Sequence, residues 1–222
     1  MPPDLLRLLA PLVGATATDF SPVPPPAGGR ESAVLVLFGR AADGSGFDLL
    51  FTERAHTLRN HAGQVSFPGG RVDPGDAGPV EAALRETQEE TGANPAGIRV
   101  IGSLPVVGIL PSRSRVVPVL AWWAEPGEVA PVDPAEVALV LRVALLRLAD
   151  PAVRVRVGHP SGRFGPGFVV DDLLIWGFTG MLVAGMLRLT GLERRWDGSP
   201  TVDLADWQII RAPSQAPPST PG

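Results

Sequence analysis

The chain has 222 residues, a formal net charge of −4 and 45% hydrophobic residues. This composition fits one domain of moderate size with a hydrophobic core, and the mild acidic balance argues against a dedicated nucleic-acid-binding protein. The sequence contains no Cys, Tyr or Lys, so all 19 basic residues are Arg. Disulfides, cysteine-ligated metals, thiol nucleophiles and lysine Schiff bases are therefore excluded. A catalytic site must be built mostly from Asp, Glu, Arg, Ser, Thr and backbone groups.

Hydrophobicity along the chain bears on its location. The N-terminal residues lack the features of a secretory signal. The longest apolar stretch, at 173–187, is shorter than the roughly 20 residues that span a bilayer. We therefore expect a cytoplasmic protein with no membrane partner, and homodimer formation is left open.

Hydrophobic periodicity and turn residues predict the secondary structure. In chain order, the first predicted elements are a short helix at 4–12, an extended Pro-rich arm at 22–29, a hairpin of strands at 33–38 and 47–52, a long loop at 54–78 and a helix at 79–91. They are followed by strands at 98–103 and 115–123, a loop at 125–134, a strand at 138–143 and a short helix at 144–149. The last predicted elements are a half-exposed strand at 153–157, a loop at 158–167, a strand at 168–170 and a helix at 173–190.

The order of these elements predicts the fold class and the domain organisation. Strands and helices interleave without a regular βαβ series, which indicates an α/β (α+β) fold with a mixed sheet. We expect an N-terminal helix and Pro-rich arm at 1–30 and a single domain at 31–211. The composition of residues 212–222 predicts a disordered tail.

The helix at 79–91 concentrates negative charge on one side. Glu86, Glu89 and Glu90 fall within an arc of about 100°. Like charges three and four residues apart repel each other, and the helix dipole disfavours anions near the C-terminus. Either Arg85 offsets this cost on a solvated helix face, or a cation does. Carboxylate oxygens without soft ligands suit Mg²⁺ or Mn²⁺.

The loop before this helix favours the cation. Residues 66–71 (SFPGGR) lead into the turn that precedes the acidic helix. Adjacent glycines let the backbone approach a ligand closely and expose carbonyl groups to a cation. A double-glycine loop followed by an acidic helix is a more specific pattern than either feature alone.

These residues resemble the Nudix box. That pattern is Gly, five residues, Glu, seven residues, then Arg-Glu-aliphatic-x-Glu-Glu-x-Gly-aliphatic, and here it spans Gly70, Asp76 and residues 85–93. Asp76 stands where Glu is usual, eight residues separate it from the arginine, and Thr87 and Ala93 occupy aliphatic positions. The Arg-Glu-x-x-Glu-Glu-x-Gly half matches in full.

A second signature lies directly upstream. Residues 50–70 (LFTERAHTLRNHAGQVSFPGG) resemble the extension found in coenzyme A pyrophosphatases of the Nudix superfamily, and the Asp-Pro-Gly-Asp spacing at 73–76 is similar to the same subgroup. Together the signatures cover residues 50–93, about a fifth of the chain. The resemblance implies a mixed sheet between helices, with the box forming a loop–helix–loop.

The resemblance also implies a reaction and its residues. The reaction is metal-dependent cleavage of coenzyme A to 4′-phosphopantetheine and adenosine 3′,5′-bisphosphate. Glu86 and Glu90 are the expected primary ligands of Mg²⁺ or Mn²⁺, and the Gly70 carbonyl is a further ligand. Glu89 is either a third ligand or part of the set that activates water. Arg85 is expected to orient a glutamate through a charge-assisted hydrogen bond.

Substrate binding is assigned to residues of the upstream signature. Arginine is the natural bidentate partner of phosphate, and the expected substrate-binding residues are Arg54, Arg59, His61, Gly63 and Gly69.

Two further groups of residues are considered for structural or catalytic roles. His56 and His159 are expected to have structural roles, and the downstream candidates for the general base are Glu125, Glu128 and Glu136.

Two alternative functions stay open. The first is a Nudix pyrophosphatase that acts on ADP-ribose, a dinucleotide or an oxidised nucleotide. The second is a non-catalytic Nudix module that binds a ligand, although such a module would be expected to lose box glutamates, and all three are present here.

Overall fold

The computed structural model describes residues 1–58, 61–109, 113–159 and 162–211, without the side chains of 208–211. Arg59 and the predicted tail at 212–222 lie outside the described residues.

The described residues form five α-helices and twelve strands. The helices are α1 (Pro3–Leu9), α2 (Pro79–Thr91), α3 (Leu145–Leu148), α4 (Gly177–Leu189) and α5 (Leu204–Arg211). The strands are β1 (Arg30–Arg40), β2 (Phe47–Arg54), β3 (Val65–Ser66), β4 (Gly69–Arg71), β5 (Ile98–Ser103), β6 (Val107–Ile109), β7 (Ser114–Trp123), β8 (Val137–Ala144), β9 (Arg154–Gly158), β10 (Phe164–Val170), β11 (Leu173–Ile175) and β12 (Thr201–Asp203).

Strand β1 organises an eight-stranded mixed sheet. It pairs antiparallel with β2 and β4, and parallel with β7 along most of its length. Strands β5 and β6 pair with β7, whereas β3 and β8 pair with β2. The β1–β2 pairing confirms the predicted hairpin. The pairing of β4 with β1 brings the double glycine to the middle of the sheet.

Helices cover both faces of this sheet. Leu35 and Leu37 of β1 pack on one face in a cluster with Ala83 of α2. Val36 and Phe38 pack on the other face in a cluster that includes residues of α1 and α4. Because both faces are covered, β1 is a continuous apolar run and does not alternate with polar residues. The predicted fold class, a mixed sheet sandwiched between helices, is confirmed.

A second, four-stranded sheet in the order β11-β10-β9-β12 follows the first in the chain. Leu204 of α5 packs against Val155 and Val157 of β9. Phe168 and Ile175 from this sheet are fully buried in the same cluster as α1 and α4. The two sheets therefore share one hydrophobic core.

Several predicted elements are confirmed. The helix predicted at 79–91 is α2, and Gly92 caps it in the left-handed conformation. The strand predicted at 98–103 is β5. These elements carry strong local signals: a proline in the first turn, a C-terminal glycine and apolar runs.

Other predictions were wrong in part. The loop predicted at 54–78 contains β3 and β4, which are too short to show a period. The loop predicted at 158–167 includes part of β10, where a Cβ atom at Gly167 would overlap the side chain of Val157. Gly167 therefore allows β10 to pack closely against β9 and does not mark a turn. Strands β6 and β12 and helix α5 were not predicted.

Two further corrections concern the C-terminal region. The helix predicted at 173–190 begins at Gly177, because residues 173–175 form β11. The strand predicted at 153–157 as half-exposed is mostly buried: Arg154 is only 7% exposed, and its guanidinium lies over the rings of Phe168 and Trp196. Alternation of Val and Arg indicated exposure only because arginine is rarely buried.

Within the described ranges, no helix combines the length and the apolar character needed to cross a membrane.

Candidate active site

Helix α2 places two of its three box glutamates beside the face that packs against the sheet. The buried residues of α2 are Ala82, Ala83, Thr87 and Thr91. On a helical wheel with Glu86 at 0°, the buried residues spread from about −40° to about 140°, an arc that also contains Glu86 itself and Glu90 at about 40°. Two of the three box glutamates therefore lie beside the packed face, whereas Glu89 lies on the solvent side with a 57% exposed side chain.

Arg85 connects the helix to the loop before it. Its guanidinium donates to both carboxylate oxygens of Asp76, at 3.0 and 3.1 Å. It also donates to Glu86 at 3.1 Å, to Glu89 at 2.9 Å and to the carbonyl of Arg71 at 3.1 Å. These contacts raise the pKa of Arg85 further. The expected role of Arg85, orienting a glutamate, agrees with this geometry.

Asp76 occupies the position where the box usually has glutamate. Its side chain is only 5% exposed, and it also accepts a hydrogen bond of 2.8 Å from the backbone N–H of Asp73. The bond from Arg85 is the main cause that lowers the pKa of Asp76. The shorter side chain and the extra loop residue therefore still allow a bidentate pair with the box arginine.

The second glycine of the pair is required by Glu86. A Cβ atom at Gly70 would overlap the carboxylate of Glu86, so any other residue there would displace it. Burial raises the pKa of Glu86, and the charge and hydrogen bond of Arg85 oppose this effect. The structure thus places the backbone of Gly70 against the carboxylate of Glu86. Metal binding by Glu86 and the Gly70 carbonyl stays a prediction.

Glu90 is the more perturbed of the two inward-facing glutamates. Burial raises the pKa of Glu90 to about 7. The backbone N–H of Gly69, which donates to Oε2 at 3.2 Å, opposes this shift, as does the charge of Arg54. The neighbouring charges of Glu86 and Glu136 add to it. Of the predicted substrate-binding residues, Gly69 therefore contacts Glu90 directly, and the charge of Arg54 acts on it.

The donors fit a hard divalent cation. Glu86 and Glu90 are carboxylates one helical turn apart, both partly buried and both with a raised pKa, so a cation between them would relieve an unfavourable local charge. Among the described residues, no group of three or more His, Asp or Glu side chains is already gathered as metal ligands. Glu89 instead binds Arg85, so its part in metal binding stays a prediction.

The upstream segment approaches the site through the end of β2. Arg54 is the last residue of β2, next to a register shift in its pairing with β8. Its Nε atom is buried and has no hydrogen-bond partner among the described residues. A ligand oxygen would be a natural partner for such a donor.

The other predicted substrate-binding residues have local partners. His61 has a φ of 60°, and its Nδ1 lies 2.8 Å from Oε1 of Gln64. Gly63 has a φ of 66° and lies against the ring of His56. These contacts stabilise the conformation of the loop. A role of His61 and Gly63 in substrate binding stays a prediction.

The three downstream glutamates differ in their surroundings. Glu136 is exposed, and its carbonyl accepts a hydrogen bond of 2.9 Å from the N–H of Ala55, next to Arg54. Its charge acts on Glu90. Glu125 is exposed with its backbone beside Gly97, and Glu128 lines a groove beyond the C-terminus of α2.

One feature of the site, the contact between Glu53 and His56, carried no recognisable sequence signal. Glu53 is a buried residue of a β-strand, and its partner His56 follows in the loop. A carboxylate and an imidazole three residues apart are common in loops and helices, so their contact needed the structure. The pair between Asp76 and Arg85 could have been found, since both are box positions.

Comparisons with known proteins agree with this geometry. The NUDIX domain family matches residues 29–157, which include the whole site. The chain is 44% identical over 176 residues to the uncharacterized Nudix hydrolase NudL of Cronobacter sakazakii, covering 74% of this chain and 82% of that protein. It is 42% identical over 177 residues to the NudL of Citrobacter koseri, with the same coverage.

A solved structure supports the same fold. The Nudix hydrolase RenU from M. smegmatis superposes with a TM-score of 0.52 at 20% identity, covering 77% of this chain and 92% of that chain. At this identity the likeness concerns the fold alone. The family match over more than half of the chain and the 44% identity to NudL carry the assignment: the chain belongs to the Nudix domain family.

Proposed function

We propose that this Nudix hydrolase cleaves the diphosphate bond of coenzyme A, with Mg²⁺ or Mn²⁺, to 4′-phosphopantetheine and adenosine 3′,5′-bisphosphate. The observation that carries the proposal is the contact between its two signatures. The upstream segment, which resembles that of coenzyme A pyrophosphatases, contacts the box through the backbone N–H of Gly69, which donates to Oε2 of Glu90 at 3.2 Å. The charge of Arg54 lowers the pKa of the same glutamate.

The proposed roles of the metal ion and of the box residues follow from the contacts in the site. A divalent metal ion, when bound, neutralises charge on the phosphoryl oxygens and lowers the pKa of a bound water. Glu86 and Glu90 would hold it, with the Gly70 carbonyl as a further donor. Arg85 keeps Glu86 in place and, through Asp76, fixes the loop relative to the helix.

Arg54 is proposed to bind the substrate. Its buried Nε atom needs an acceptor, and a phosphoryl oxygen supplies one with a charge-assisted bond. His61 is exposed at the neighbouring loop and would provide a second donor. Both residues hold the diphosphate without taking part in bond breaking.

Glu136 is proposed as the general base. Its carboxylate accepts a proton from the attacking water, the water oxygen bonds to one phosphorus atom, and the bridging P–O bond breaks with its electron pair on the leaving phosphate. Three observations support this role: Glu136 is exposed, its carbonyl accepts a hydrogen bond from the N–H of Ala55, and its charge acts on Glu90. Glu89, which resembles a water-activating residue of the box, is the rival candidate.

The first experiment incubates the purified protein with coenzyme A and either Mg²⁺ or Mn²⁺ and identifies products by mass. Glu86→Gln and Glu90→Gln are assayed alongside, with Glu81→Gln, an exposed glutamate of the same helix, as the matched control. We expect both predicted products and losses of orders of magnitude in the two site variants only.

The outcome separates the alternatives. Cleavage of ADP-ribose or a dinucleotide, with coenzyme A intact, would contradict the substrate but keep the hydrolase site. Binding without turnover of any diphosphate would favour a ligand-binding module.

A further inference from the structure

The loop after β2 is closed at its base by backbone hydrogen bonds. The N–H of Arg54 donates to the carbonyl of Gln64 at 3.0 Å, and the N–H of Gly63 donates to the carbonyl of Arg54 at 3.0 Å. The N–H of Ala55 donates to the carbonyl of Glu136 at 2.9 Å. We call residues 54–58 and 61–64 the loop stem. It contains both described side chains that the proposed function assigns to substrate phosphate, Arg54 and His61.

A carboxylate and an imidazole pair at the edge of the loop stem. Glu53 has a side chain that is only 6% exposed, and its Oε1 lies 3.3 Å from Nε2 of His56. The imidazole itself is 39% exposed. A buried carboxylate fixes the orientation of the ring that it contacts, and ionic character strengthens the contact when the ring is protonated.

The other side of the same imidazole rests on Gly63. A Cβ atom at Gly63 would lie 2.8 Å from Cε1 of His56, closer than packed atoms approach, and 3.0 Å from its Nδ1. Gly63 therefore has two reasons to be glycine: its positive φ and the ring that lies against it. The imidazole links Glu53, near the end of β2, to Gly63, on the part of the loop stem that returns toward β3.

We propose that Glu53 and His56 are positioning residues for substrate binding: they brace the loop stem so that Arg54 and His61 face the diphosphate. This inference rests on the proposed diphosphate hydrolase function and adds to it. His56 uses Nε2 on Glu53, so the ring acts through the loop and not on the reacting atoms. The contact with the ring of His56 also explains why the upstream signature has a glycine at position 63.

The test separates binding from chemistry. His56→Ala removes the brace, and we expect KM for coenzyme A to rise about tenfold with kcat changed less than about threefold, because substrate affinity is lost uniformly. His56→Gln keeps an amide that can donate to Glu53, so its KM should return most of the way to the wild-type value. His159→Ala, which removes a histidine next to β9, is the matched control.

A double-mutant cycle tests the contact with Gly63. Gly63→Ala carries a backbone penalty from the positive φ in any background, but it overlaps the ring only when His56 is present. We therefore expect Gly63→Ala to raise KM by a larger factor in the wild-type background than in His56→Ala. Thermal unfolding of each variant confirms that the compared proteins are folded.

The outcomes are distinct for the two proposals. A loss of kcat with unchanged KM, no rescue by His56→Gln, or equal effects of Gly63→Ala in both backgrounds would overturn the brace. Parallel assays with ADP-ribose identify a wrong substrate: if that diphosphate is cleaved and coenzyme A is not, the proposed substrate fails while the same KM comparison still tests the brace. A protein that cleaves neither overturns both.

Discussion

One charged side chain connects the two parts of the candidate active site. Arg85 joins the loop and helix because its guanidinium serves Asp76, Glu86, Glu89 and a backbone carbonyl at once. A lysine has one point charge and could not reproduce the bidentate contact with Asp76. The geometry of Glu86 therefore depends on a carboxylate ten residues earlier in the chain.

Asp76→Asn tests this dependence through pH. Arg85 lowers the pKa of Asp76 in the folded protein, so the pair adds stability above the unfolded pKa of about 4 and loses it as pH falls. Asp76→Asn should lower the unfolding temperature at pH 7, and its difference from wild type should shrink toward pH 3. Asp73→Asn, whose exposed carboxylate lies 3.8 Å from Arg85, is the control. A difference independent of pH would contradict the interpretation.

Glu136→Gln tests the proposed general base. Removal of a general base costs about 10²- to 10⁴-fold in rate. We therefore expect kcat to fall by about 100-fold or more, with little change in KM. Steady-state kinetics of Glu125→Gln and Glu128→Gln, on the same connection between β7 and β8, provide matched controls that should stay near wild type. A larger loss in Glu89→Gln would assign the base to the box.

The residues of the site differ in how far sequence alone could identify them. The spacing of Glu86 and Glu90 on a helix predicts their common face, because helical periodicity is local. The proximity of Arg54 to Glu90 depends on sheet pairing between distant segments, and only the upstream resemblance indicated it. The pair of Glu53 and His56 lacks even that signal, since it depends on how the loop stem closes.

At the level of elements, local capping decides what was predictable. Helix α2 begins at Pro79 and is capped by Gly92, and its bounds were predicted correctly. In the C-terminal region, glycine and proline lie inside β10, and the apolar run from 173 is divided between β11 and α4. A period cannot be read from three strand residues, and apolar strands and helices look alike when both are buried.

The turn between β10 and β11 offers a test at this scale. Asp171 and Asp172 both have positive φ, 49° and 63°, in a two-residue connection. Asp172→Gly should stabilise the protein by about 0.5–1 kcal/mol, because glycine adopts this conformation without steric cost. Asp171 is retained, since its carboxylate lies 2.8 Å from Arg147.

Chemical denaturation measures the effect, and Asp172→Ala is the matched control. Alanine removes the same carboxylate without gaining tolerance of positive φ, so it should not stabilise. Equal effects of glycine and alanine would assign the gain to charge and not to backbone conformation.

At the level of the whole molecule, one core joins the Nudix-matched region to the residues after it. The family match ends at residue 157, within β9, yet Phe168 and Ile175 pack in the same cluster as Phe38 of the main sheet. We propose that residues 31–211 form one domain, as the sequence predicts. A shared core of this kind should make the two sheets unfold together.

Phe168→Ala tests this coupling. Phe168 is fully buried, and the guanidinium of Arg154 lies 5.0 Å from its ring centroid. Truncation should therefore cost about 3–5 kcal/mol of unfolding free energy. Because the core is shared, hydrogen exchange of β1 and β10 should accelerate together, and denaturation should keep a single transition. Phe164→Ala on the same strand, where the ring is 57% exposed, should have a much smaller effect. A separate early transition confined to β9–β12 would instead show that the second sheet is an independent unit.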